Sequence, residues 1–220
     1  MRLKLDLHVH TNASKDSSIR LEEALIEAKA KGLNGLALTE HGTPSKFKGF
    51  MRGILIIPGL EEQTPIGHVL VLGLNSWNLK PGLKPIHAVL EEAKKHGAVT
   101  VLAHPFPRTL ISSYMLWVKR SGLDALEVLN SGNILFPVSS RVNMKMSLKF
   151  NIPMTAGSDS HIPRTIGYAY TVIETPSTNM EDILESIRRG LTEVYGRPSG
   201  LRAKLEKNIR GRKLGRFSPL

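Results

Sequence analysis

The chain has 220 residues, 41% of them apolar, and a formal charge of +11, which suits one domain with a continuous core or a domain plus a tail. It contains no cysteine, so disulfides and thiolate ligands are excluded and histidine and carboxylate are left as the strong metal ligands. No run of eighteen apolar residues exists and no basic segment leads into a long apolar core at the N-terminus, so neither a membrane span nor a signal peptide is expected and the cytoplasm is the default location.

Short β-rich runs alternate with helical patterns along the chain, the signature of parallel strands joined by helical crossovers. The first run ends in Asp6-Leu7-His8-Val9-His10-Thr11. Period-two alternation places His8 and His10 on one side, where they can bind one ion together, and Leu3, Leu5, Leu7 and Val9 on the opposite, buried face. Such a pair fits either half of a metal site or two satisfied core histidines, and the rest of the chain must decide.

Ser17 or Ser18 is expected to cap a helix running to about Lys31, with Gly32 as its stop. The strand Gly35 to Thr39 then runs into Glu40-His41. Residues 42 to 52 read as a loop, followed by the strand Ile54 to Ile57 and Pro58-Gly59-Leu60-Glu61. After a turn at Pro65 and Gly67 comes the run His68 to Leu72, whose histidine can return to the strand ends if the run is antiparallel. Lys84 to His96 fits an amphipathic helix, and the strand Val99 to Ala103 delivers His104-Pro105. Further strands are expected over Ala125 to Leu129, Pro153 to Gly157 and Tyr168 to Glu174, with helices around Tyr114 to Arg120 and Val138 to Lys149. The second of these strands ends at Ser158-Asp159-Ser160-His161, and Thr178-x-x-Glu181 reads as a capping box for a helix to Arg189.

The charge is concentrated at the end of the chain. Residues 197 to 220 hold eight Lys or Arg and one Glu, so we divide the chain into a barrel domain, 1 to 196, and a basic tail, 197 to 220. A solvated, partly disordered extension is the ordinary reading of such a tail, and contact with a polyanion is the functional one.

His8, His10, His41, Glu61, His104, Asp159 and His161 all fall at or just beyond the C-terminal ends of expected parallel strands. In a β/α barrel those ends share one face, where active sites are built. The order Asp6-Leu7-His8-Val9-His10-Thr11 with Ser14 and Asp16, then Thr39-Glu40-His41, Gly59-Leu60-Glu61, His68 before an apolar strand, Ala103-His104-Pro105 and Gly157-Ser158-Asp159-Ser160-His161 resembles the polymerase and histidinol phosphatase (PHP) family. The match spans residues 6 to 161, with the barrel continuing to about residue 195.

The resemblance implies an α/β fold, a distorted (β/α)7 TIM-like barrel of the PHP type, with two to three divalent ions. By motif position, His8, His10, Glu61 and Asp159 would hold the first; Glu61, His68 and His104 the second; Asp16, His41 and His161 the third. His8, His10, Glu61, Asp159 and His161 are the residues on which catalysis would depend. Glu40 stands where many members have Asp and is read as an acceptor that orients a ligand imidazole. Asp16 replaces a histidine found in some relatives, which makes the third site harder. Nitrogen and oxygen ligands admit zinc, manganese or iron, with magnesium less favoured.

The implied activity is hydrolysis of phosphate esters, since clustered divalent ions activate water and neutralise phosphoryl charge. Arg108 and Arg164 are candidate phosphate clamps, with Lys15 and Arg141 behind them. About 35 residues separate His68 from His104, too few for an inserted domain, and with the basic tail this favours a nucleotide or short oligonucleotide over histidinol phosphate. The competing class is a metal-free RNA- or DNA-binding barrel like the ribonuclease P proteins, against which the nine filled ligand positions speak.

Overall fold

In the computed structural model, which describes residues 1–80 and 82–213, one sheet curls until its two ends meet. Its strands are β1 (Arg2–Val9), β2 (Gly35–His41), β3 (Gly49–Met51), β4 (Ile54–Thr64), β5 (Gly67–Leu72), β6 (Val99–Leu102), β7 (Ala125–Asn130), β8 (Met154–Gly157), β9 (Ala169–Glu174) and β10 (Thr192–Gly196). They run in the order β10-β9-β1-β2-β4-β5-β6-β7-β8, with β3 against β4. The chain just after β8 returns to β1 through a parallel bridge between Val9 and Ser160: the Asp159 amide donates to the His8 carbonyl at 2.8 Å and the His10 amide to the Ser160 carbonyl at 3.0 Å. The result is a distorted TIM-like α/β barrel.

Not every stave is parallel. Only Pro65 and Ile66 separate β4 from β5, far too few residues for a crossover, so β5 must run antiparallel to β4; it is also antiparallel to β6. β9 is likewise antiparallel to β1 and β10. The helices are α1 (Leu21–Ala30), α2 (Ile86–Lys95), α3 (Ser112–Ser121), α4 (Phe136–Phe150), α5 (Met180–Arg188) and α6 (Gly200–Lys213).

Several local expectations are corrected. Ser17 and Ser18 do not cap α1; their hydroxyls donate to the His10 and His161 carbonyls at 2.6 and 3.3 Å, while Arg20 is the N-cap and its amide donates to Glu23. α5 begins at Met180 behind Asn179, so Thr178-x-x-Glu181 is not its capping box. The segment read as a loop contains β3, and the tail read as a solvated extension contains α6, whose Ala203 is buried. Residues 214 to 220 of that tail lie outside the described residues. Among the described residues no helix is long and apolar enough to cross a membrane.

One apolar cluster draws Leu3, Leu5 and Leu7 from β1, Ala37 from β2, Leu55 and Ile57 from β4, Leu70 and Leu72 from β5, Val99 and Val101 from β6, Ala125 from β7 and Ile173 from β9. Side chains from so many staves meet only inside a barrel, and Ile183, Leu184 and Ile187 of α5 join them. Val9 belongs to a different cluster, with Ala24, Leu25 and Ala28 of α1. The single leucine face expected of β1 is therefore broken. Between Asp6 and Val9 the pairing with β2 slips by one residue, three steps on β1 matching two on β2. This bulge lets Leu7 and His8 both turn inward, after which Val9 faces α1 and His10 faces the barrel.

Candidate metal centre

Three inward rows of apolar side chains end in a ligand-type residue at the same mouth of the barrel. On β4, Leu55 and Ile57 lead through Gly59 to Glu61; on β2, Ala37 and Thr39 lead to His41; on β5, running the other way, Leu72 and Leu70 lead to His68. The antiparallel return of β5 is what brings His68 to the rim. His41 lies directly opposite Glu61 in the β2–β4 register.

Glu61 is the centre of the arrangement, 4% exposed and ringed by five imidazoles. Its Oε1 lies 2.8 Å from His68 Nδ1 and 3.1 Å from His104 Nε2; its Oε2 lies 3.1 Å from His41 Nδ1, 3.4 Å from His10 Nε2 and 3.7 Å from His8 Nε2. Asp159 Oδ1 approaches His10 Nε2 at 3.5 Å, His161 Nδ1 at 3.6 Å and His8 Nε2 at 3.7 Å. Asp16 stands between His161 Nε2 at 2.8 Å and His41 Nε2 at 3.2 Å. All nine residues singled out in the sequence meet at this mouth. The ligand atoms of three triads, His8–His10–Asp159, His8–Glu61–His104 and His10–His41–His161, each fall within 4.8 Å of one another.

The donor set fits divalent cations. His8 Nδ1 is engaged by Glu127 Oε1 at 2.9 Å, so its Nε2 is left to face His10 Nε2 at 3.1 Å. Two imidazole nitrogens converging on a carboxylate is the arrangement a cation resolves. Buried Asp16 Oδ1 and His161 Nε2 lack any hydrogen-bond partner of proper geometry despite their close neighbours. Burial, with the His161 ring beside it, pulls the His10 imidazole down to about 3, so it is neutral and available as a ligand. Hydrogen bonds donated by its ring to Asp16 and Glu61 raise His41 to about 10. Burial would raise Glu61 and Asp159, but the imidazoles around them, His8 foremost, hold both well below the usual carboxylate range.

Residues outside the nine set the geometry. Glu40 accepts from the Thr11 amide and hydroxyl and from the Ser14 hydroxyl at 2.6 Å; Ser14 Oγ lies 3.4 Å from His10 Nδ1, so Glu40 acts on that ring through Ser14. Asp6 accepts from the amides of Ser158 and Gly167, tying β1 to the loop that carries Asp159. Glu127 was not singled out in the sequence. It is buried on β7, where one oxygen holds His8 and the other accepts from the His104 amide at 2.8 Å and from Asn130 Nδ2 at 2.9 Å. Its only sequence signal is a carboxylate inside an otherwise apolar strand. Glu127→Gln keeps the shape but cannot accept from both partners, and metal affinity is expected to fall roughly 10- to 100-fold, measured by competition with a chelator.

Two of the candidate ligands occupy the left-handed region, His104 at φ 30° and Asp159 at φ 53°, a conformation that side chains other than Gly, Asn and Asp rarely adopt. Gly157 is a matter of space. A Cβ there would sit 2.3 Å from His8 Cβ and 2.8 Å from Glu127 Oε1, so Gly157→Ala is expected to displace His8 and to cost about 1–3 kcal/mol of stability, measured by denaturant unfolding.

The candidate phosphate clamps are not all at the cluster. Arg108 is exposed at the start of a 3-10 turn, with its guanidinium near Gly67 at the start of β5. Arg164 Nε donates to Glu206 of α6, and Lys15 and Arg141 are exposed. His41, Gly42, Glu61, Glu62, Gln63, His68 and Gly82 line a cleft that opens the centre to solvent.

A mixed barrel with a histidine- and carboxylate-rich mouth defines the class, and comparison with known proteins defines the family. Residues 6–105 match the PHP domain family and residues 143–192 the PHP-associated family. The chain belongs to the PHP family. It is 24% identical over 225 residues to a "probable phosphatase" of Syntrophotalea carbinolica, covering 84% of this chain and 92% of that one. Among solved structures it resembles a two-domain protein of Bacteroides vulgatus described as containing a PHP-like metal-dependent phosphoesterase (TM-score 0.69, 24% identity, 94% of this chain and 70% of that one). It also resembles the lesion-specific endonuclease EndoQ of Pyrococcus furiosus (TM-score 0.64, 19% identity, 88% of this chain and 58% of that one).

Proposed function

We propose that the protein is a hydrolase of phosphate esters that works with two to three divalent ions held by His8, His10, Asp16, His41, Glu61, His68, His104, Asp159 and His161. The observation that carries this reading is Glu61, one buried carboxylate placed to bridge imidazoles from β1, β2, β5 and the end of β6. When bound, such ions supply an activated water near neutral pH and positive charge for the phosphoryl oxygens. The chain's own part is to hold the ligands in place: Glu127 fixes the His8 tautomer and the His104 backbone, Glu40 and Ser14 steady His10, and Asp6 ties down the Asp159 loop. No further base is needed from the three carboxylates, which serve as ligands. Zinc, manganese and iron suit this mixed nitrogen and oxygen set better than magnesium.

A nucleotide or short oligonucleotide is the substrate we favour, supported by the open cleft, the basic C-terminal chain and the endonuclease among the structural neighbours. The test is metal analysis of the purified protein, then phosphate release from mononucleotides, short oligonucleotides and histidinol phosphate with each metal. Turnover of the nucleic-acid esters supports the reading. Preference for histidinol phosphate overturns the substrate class, and absence of both bound metal and hydrolysis overturns the enzyme in favour of a binding barrel.

A further inference from the structure

Helix α6 reaches the metal centre. Its base is fixed where the Arg197 amide donates to the Tyr168 carbonyl and the Ser199 amide to the Ser131 carbonyl, each at 2.8 Å. Ala203 is its buried contact, while Leu201, Leu205 and Ile209 are exposed. Ion pairs to the barrel add to this anchoring. Glu206 pairs with Arg164 on the loop after β8 and is backed at 3.0 Å by Arg210 one turn on. The next residue, Lys207, places its ammonium 3.1 Å from Asp16 Oδ2.

That contact is unlike the others at the mouth. Among the described residues the ion pairs of Glu61 and Asp159 are all with histidines, and Lys207 is the one Lys or Arg that pairs with any of the three candidate carboxylate ligands. Lys207 is about one-third exposed, so a cationic side chain open in part to solvent stands beside Asp16. Arg164, by contrast, is engaged by Glu206 and holds the helix in register.

We propose that Lys207 is a substrate-phosphate ligand of this site, carried into it by α6, and that Glu206 and Arg164 form the latch that positions it. This rests on the phosphoesterase reading above and adds a residue to it. Helix α6 is then a wall of the active site. An ammonium with one carboxylate neighbour keeps donors free, and one such N–H can serve Asp16 while another meets a phosphoryl oxygen.

The probe is inorganic phosphate, titrated calorimetrically into the metal-loaded full chain. Lys207→Met is expected to weaken phosphate binding roughly 10- to 100-fold, the ordinary worth of one charged hydrogen bond, with metal content and melting temperature unchanged. Lys207→Arg should restore most of the affinity, and Glu206→Gln should lower it by loosening the latch. In hydrolysis assays the loss in Lys207→Met should appear in KM more than in kcat. Unchanged phosphate affinity in Lys207→Met, against clear binding by the parent, overturns the proposal and leaves the phosphoesterase reading intact. So does a gain of one bound ion in that variant, which would make Lys207 a competitor of the third ion. If the metal-loaded parent binds no phosphate at all, the phosphoesterase reading itself fails.

Discussion

Glu61→Gln is expected to lower hydrolysis at least about 1,000-fold, because loss of some 4 kcal/mol of charge stabilisation corresponds to three decades of rate. Glutamine matches the shape of Glu61, so the fold should persist. What changes is the character of the buried head group. One oxygen now faces two imidazoles at 2.8 and 3.1 Å and the other faces three at 3.1 to 3.7 Å. An amide cannot act as a ligand on both sides, and its NH2 turns a donor toward whichever group it meets. The loss should therefore be visible before any turnover, as a fall of at least one in the number of bound ions by elemental analysis. Retention of all the parent's ions together with activity within tenfold would remove Glu61 from the centre.

A loss of the same order, about 1,000-fold, is expected for His10→Ala and for Asp159→Asn. His10 is fully buried, and its Nε2 lies within 3.5 Å of His8, Glu61 and Asp159. Truncation leaves a polar gap that water can fill, so folding should survive while the ligand is lost. Asparagine is the better replacement for Asp159, since it tolerates the φ of 53° at that position and removes the charge alone. Circular dichroism and kcat/KM decide the matter together. Folded variants with near-parental rates would refute the assignment, and unfolded ones would call for Asn or Gln at His10.

Much of the mouth was legible because ligand-type residues stand out at the ends of apolar runs. His8, His10, His41, His104 and Asp159 each follow a strand-like stretch, and a parallel barrel gathers such ends by construction. His68 needed more, since it begins its strand; the Pro65 turn was the clue, and the antiparallel β5 is the outcome. Glu127 was missed because a lone carboxylate in a strand has no spacing partner in sequence, and its two acceptor contacts, to His8 and His104, are long-range. The docking of α6 was illegible for a similar reason. Charge composition marks a basic segment, but the pairing of Glu206 with Arg164 and of Lys207 with Asp16 depends on where β10 and the turn after it deliver the helix. Neither Ser17 nor Ser18 caps α1, because their hydroxyls donate to carbonyls of the site instead, a tertiary demand that overrides local preference.

The slip in β1 makes core and candidate metal site neighbours along a single stave. Leu7 closes the top of the barrel's apolar interior and His8, turned the same way, begins the polar mouth, with nothing between them but one peptide unit. Interior packing beneath and the proposed coordination above would thereby be thermodynamically linked. Any ion bound by His8 stabilises the fold by mass action, and any loosening of the leucine layer is felt as weaker coordination. In such a barrel the catalytic mouth is no accessory mounted on a finished scaffold: it is the uppermost layer of the core itself.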